Sequence, residues 1–99
     1  MQNISTASDG ELIVGLDHVQ VVVPHAEEAR AKAFYGGVLG LVEIPKPETL
    51  AGRGGAWYRC GASLAQQLHL GLSDSVQPQR KAHPAFLTRD LAAMRAGLE

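Results

Sequence analysis

Gly15-Leu16-Asp17-His18-Val19-Gln20-Val21-Val22-Val23-Pro24 is the stretch on which the fold of this chain turns. It is rich in β-branched residues, and Pro24 stops it because a proline has no N–H to continue a ladder, so it reads as a strand. Successive side chains of a strand point to opposite faces. Leu16, His18, Gln20 and Val22 therefore share one face, and Asp17, Val19, Val21 and Val23 the other.

A helix is predicted next, from about Ala26 to Val38. Glu27 and Glu28 fall in its first turn, where the helix dipole favours acids, and Glu28 reaches Lys32 at i,i+4. Ala26, Ala29, Ala33, Phe34 and Val38 form the expected apolar stripe, with Phe34 and Tyr35 as packing anchors. Gly36 and Gly37 weaken the last turn, and Gly40 supplies a stop. Three short strands follow: 41–44, held at a sheet edge or strand end by Pro45 and Pro47, then 56–60, then 64–72. The glycine-rich 52–55 reads as a turn and 61–63 as a tight reversal. Alternation places Trp57 and Arg59 on one face of their strand, and Tyr58 and Cys60 on the other. After a polar loop at 73–80, His83 to Thr88 is predicted as a further strand and 89–99 as the start of a further helix.

The order is β-α-β-β-β, then β-α. The predicted class is α+β: a tail over 1–13, one βαβββ module over 14–75, and over 76–99 a linker and the beginning of a second, incomplete module. HVQVVVPHAEEARAKAF and HPAFLTRDLAAMRAGL share a pattern in which a histidine opens a strand and a charged helix follows, as in a duplicated unit that buries its faces against its twin.

Composition bounds the function. Ninety-nine residues make one small domain, 45% hydrophobic and 19% charged, an ordinary globular balance. A formal net charge of −1 gives no electrostatic reason to expect nucleic acid or anionic membrane as a partner. Cys60 is the sole cysteine, which rules out an internal disulfide and fits a reducing, cytoplasmic setting. The opening MQNISTASDGELIV has neither a basic region nor a long apolar run, so it does not read as a secretory signal, and the run around Val21 to Val23 is too short to span a bilayer.

GLDHVQVVVP, AFYGGVLGL, HLGLS and KAHPAFL, in this order and spacing, resemble the small glyoxalase-like members of the vicinal-oxygen-chelate superfamily of glyoxalases, bleomycin-resistance proteins and extradiol dioxygenases. The likeness runs from about Gly15 to the end, and its most telling piece is DHV on a first strand with FYxxxLG across a helix end. The resemblance implies βαβββ modules whose curved mixed sheets form a cup, with helices on the outer face and a divalent metal (Zn, Ni, Fe or Mn) in the cup. It carries the metal-ligand positions onto His18, His69 and His83. The usual fourth ligand, a glutamate on a final strand, has no counterpart here. Gln20 shares the face of His18, and Gln67 that of His69; with Trp57 and Arg59 they are the candidate pocket lining.

Imidazoles suit such metals, and a site with open positions could chelate two neighbouring oxygens of a substrate. Against this stands the ordinary histidine, which at a strand start is more often hydrogen-bonded or exposed than a ligand. No H-x-x-x-H or H-E-x-x-H spacing supports a metal independently of the fold. His25 reads as a surface or capping residue, and Cys60 has no base nearby to make it a nucleophile. Two functions stay open: a metal-dependent lyase, isomerase or dioxygenase, or a metal-free protein that sequesters a small molecule, of the antibiotic-binding type. The unfinished second module leads us to expect either a parent chain that continues beyond Glu99 or two copies that complete one another, and a homodimer in both cases.

Overall fold

The computed structural model describes residues 12–62 and 66–98. Strand β1 (His18–Val23) leads through Pro24 into a helical run. This opens with a 3₁₀ turn (His25–Glu27), continues as α1 (Glu28–Lys32) and closes as a π turn (Ala33–Val38). Strand β2 (Val42–Ile44), a 3₁₀ segment (Glu48–Arg53), β3 (Ala56–Arg59) and β4 (Gln67–Leu72) complete the module. The sheet order is β1-β4-β3-β2, with β1 parallel to β4 and the other two pairs antiparallel. This is the α+β class with a curved mixed sheet that the sequence predicts. Residues 64–65 of the expected 64–72 strand and 63 of the expected reversal lie outside the described residues, as do 1–11 of the expected tail.

The core lies between helix and sheet. Ala56, Tyr58, Leu68 and Leu70 are buried, with Val19, Val21, Val23, Ala31, Tyr35, Leu41 and Cys60 packed around them. Each strand residue among them occupies the face that alternation assigns to it. The helix is turned differently from expectation. Ala26, Ala29, Ala33, Phe34 and Val38 are all exposed, while Ala31, Tyr35 and Leu39 are half-buried. Phe34 is therefore not the core anchor: it is 38% exposed and meets Tyr35 edge-on at 5.1 Å, and Tyr35 is the ring that packs toward Tyr58. Alanines on several sides of this helix blur its periodicity, and the larger Tyr35 and Leu39 decide which side goes inward. The adjacent Gly36 and Gly37 disfavour a regular α turn, and the chain widens there, with Leu39 N–H donating to Phe34 C=O at 2.9 Å.

One glycine turn locks helix to sheet. Gly55 has φ +75°, and a Cβ on it would stand 2.1 Å from the Leu70 carbonyl oxygen, so no other residue fits. Its N–H donates to Glu28 Oε2 at 2.9 Å, and the same oxygen holds Lys32 at 3.1 Å. These contacts keep the Glu28 carboxyl below its usual range, the Gly55 N–H first and Lys32 second. His25 does more than cap. Its backbone N–H and its Nδ1–H both reach Asp74 Oδ1, at 2.9 and 3.1 Å, and tie the helix start to the loop after β4.

Beyond β4 the structure departs from the expected second module. Residues 83–88 form no strand. Pro84 offers no N–H, Leu87 is fully exposed, and no described strand lies alongside to pair with them. The expected helix is present as α2 (Leu91–Leu98), begun by a cap that the sequence reading missed: Ala93 N–H donates to Asp90 Oδ1 at 3.0 Å.

Candidate functional site

The face of the sheet opposite the helix carries the candidate residues. Register aligns them in two rows across β1, β4 and β3: His18, Gln67 and Arg59 in one, Gln20, His69 and Trp57 in the other. Because β1 and β4 run parallel and in register, two histidines that start from different ends of the sequence arrive on the same face. Their rings stack at 4.1 Å with 15° between planes, and on the other side His69 lies flat against Trp57 at 3.8 Å and 2°. The result is a pile of three rings spanning three strands.

This sandwich explains why His69, on an open face, is only 6% exposed. Burial lowers its pKa, His18 lowers it further, and Asp17 opposes both. His69 is thus held neutral, the form in which an imidazole binds metal. Its Nε2 lies 2.8 Å from Gln67 Oε1, and His18 Nδ1 lies 2.8 Å from Asp17 Oδ2. Gln20 finds room because β4 has no side chain at Gly71: a Cβ there would stand 3.2 Å from the Gln20 amide nitrogen. Arg59 turns away to donate to the Gly61 carbonyl at the strand end.

His83 does not join this group. It sits exposed in the irregular segment after β4, with Nδ1–H donating to the Lys81 carbonyl at 2.6 Å. Among the described residues no cluster of three or more His, Cys, Asp or Glu is placed to hold a metal ion. The expected ligand set of three is therefore not assembled within this chain; two of its members are. The reason is the missing strand, which was to carry His83 onto the sheet. The residue that the sequence reading overlooked is Asp17. Alternation consigned it to the opposite face, yet it lies just before β1 begins at His18, where strand alternation no longer governs its side chain.

The two histidines fit a metal in donor type but not yet in aim. A metal bonds to imidazole along the lone pair, in the plane of the ring. Stacked rings with centroids 4.1 Å apart and planes only 15° from parallel share no in-plane point within bonding reach of both nitrogens, about 2.0–2.1 Å for zinc. At least one ring must turn to ligate. The site is an open surface rather than an enclosed cavity. A hollow of about 300 Å³ lined by Val14, Gly15, Leu16, Asp17 and Gln66 touches it through Asp17, and its lining includes none of the three stacked rings. Among the described residues, no helix is long and apolar enough to cross a membrane.

No family model matches the chain, and no curated protein matches it. Among solved structures, it is similar to the crystal structure of a glyoxalase family protein from Bacillus anthracis, with 44% sequence identity and a TM-score of 0.76. The match covers 87% of this chain and 68% of that one. Identity at this level over most of the chain, on the same arrangement of helix and sheet, settles the relationship: this chain belongs to the glyoxalase family.

Proposed function

We propose that this chain is a glyoxalase-like member of the vicinal-oxygen-chelate superfamily that uses a divalent metal (Zn, Ni, Fe or Mn) to act as a lyase, isomerase or dioxygenase on a small oxygenated substrate. The observation that supports this reading is the meeting of His18 and His69, from the first and last strands of the module, on the open face. When bound, the metal would supply Lewis-acid polarisation of a substrate that presents two neighbouring oxygens. The chain's own residues set the stage. His69 offers a neutral ring because Trp57 and His18 keep water from it. Gln20, lying over Gly71, presents an amide that can orient a substrate oxygen. Catalytic zinc sites ordinarily use three protein ligands, so the remaining donors come from outside this module. We place them in a second module, in a homodimer in the reducing cytoplasm.

The near-parallel rings favour one alternative, a metal-free protein that sequesters a small molecule. The pile leaves the outer faces of its two end rings, His18 and Trp57, for a planar ligand to stack on. Calorimetric titration of tag-free protein with Zn²⁺ and Ni²⁺ separates the two. The metal reading expects His18→Ala and His69→Ala each to weaken binding at least tenfold, with Phe34→Ala unchanged. Equal affinity in all of these proteins would discard it and leave the metal-free reading.

A further inference from the structure

The hydrogen bonds around the two site histidines differ in which nitrogen they engage. His18 is held by Nδ1, at 2.8 Å from Asp17 Oδ2, and His69 by Nε2, at 2.8 Å from Gln67 Oε1. A carboxylate can accept but not donate, so the proton in the first contact belongs to His18 Nδ1. An amide oxygen likewise accepts, so the proton in the second belongs to His69 Nε2. A neutral imidazole carries one N–H, and its other nitrogen is left with a bare lone pair. In the stacked arrangement His69 is held between His18 and Trp57, and the tautomer decides which edge of the ring presents a lone pair.

We infer that Asp17 and Gln67 hold the two histidines in opposite tautomers, so that His18 Nε2 and His69 Nδ1 are the donor atoms this site offers. Asp17 and Gln67 are then positioning residues, acting through the rings and touching no ligand themselves. Such outer partners fix ring orientation and raise ligand basicity, and their loss typically costs 10- to 100-fold in metal affinity or activity. The inference rests on the metal reading above for its purpose but not for its test. It also accounts for Asp17 preceding His18 without calling on the strand, since the carboxylate reaches back to its own neighbour from just outside β1.

The test uses ¹⁵N-labelled, chelator-treated protein at pH 8, above the ordinary histidine range of about 6.5. Long-range ¹H–¹⁵N imidazole correlations report which nitrogen is protonated with no metal present. The expected spectrum shows His18 with Nδ1–H and His69 with Nε2–H. Asp17→Ala should release His18 toward the other tautomer, and Asp17→Asn, which keeps an acceptor oxygen, should restore it. Gln67→Glu should leave His69 as in the parent, and Gln67→Ala should not. Zn²⁺ added to the same samples should bind 10- to 100-fold more weakly to Asp17→Ala. A parent spectrum with either histidine in the opposite tautomer overturns the inference, as does an Asp17→Ala spectrum identical to the parent. Should a variant fail to fold, the parent spectrum alone decides. The expected tautomers in a protein whose rings do not respond to Zn²⁺ would uphold the inference and remove the metal reading instead.

Discussion

The two faces of one four-stranded sheet have been put to different uses. Toward the helix the strands present Val19, Val21, Val23, Ala56, Tyr58, Leu68 and Leu70, a close-packed layer with no ionised group in it. Toward the open side the same strands present imidazoles, amides, an indole and a guanidinium. Alternation along each strand makes this possible: Leu68 and His69 are neighbours in sequence and share no surroundings. The lesson is that stability and chemistry can be changed separately here, one residue apart, and this separation can be attacked experimentally.

The largest effect should come from the inner face. Leu68 is fully buried, and Leu68→Ala should cost about 2–5 kcal/mol in urea unfolding, the range for a cavity that neighbours fill only in part. A loss of under about 1 kcal/mol would mean the two faces are not distinct in packing. On the open face the effect should depend on pH. The unfolded chain's imidazole titrates near 6.5, while that of folded His69 is lowered, first by burial and then by His18. As pH falls below about 6.5, the unfolded state takes up a proton that the folded state refuses, so stability declines and then levels off below the folded pKa. His69→Phe, which keeps a flat ring in the stack, should lose this component between pH 8 and 5. An unchanged pH profile would show that His69 is as well hydrated folded as unfolded. The smallest effect should be at the helix exterior. Phe34 is 38% exposed and keeps mainly its edge contact with Tyr35, so Phe34→Ala should cost about 1 kcal/mol, far less than a core aromatic. A loss above about 3 kcal/mol would mean that the helix is turned the other way.

Strand alternation was the most legible signal in the sequence. It depends only on backbone geometry, and it grouped His18 with Gln20, Trp57 with Arg59 and Gln67 with His69 within their strands; the pairing then brings the three groups to one face. The helix was legible in extent but not in rotation, because alanine fits either side of a helix and so says little about which side is buried. His83 was misplaced for a different reason. Its residue pattern is that of a strand, but a strand exists only through its neighbours, and 83–88 has none among the described residues. The tie between Asp17 and His18 was hidden because alternation was extended one residue beyond the end of the strand that obeys it.

The π turn at Ala33–Val38 has a consequence for anyone comparing this chain with its relatives. A π turn is the trace of one extra residue in an α-helix, absorbed by widening rather than by looping out. Against a relative whose helix stays regular, the correct alignment carries a one-residue gap within 33–38. Without that gap every position after it slides by one until a compensating gap, and inward-facing Leu41 falls out of register. Where that single gap is placed decides whether Tyr35 and Leu41 are scored as core positions or as surface.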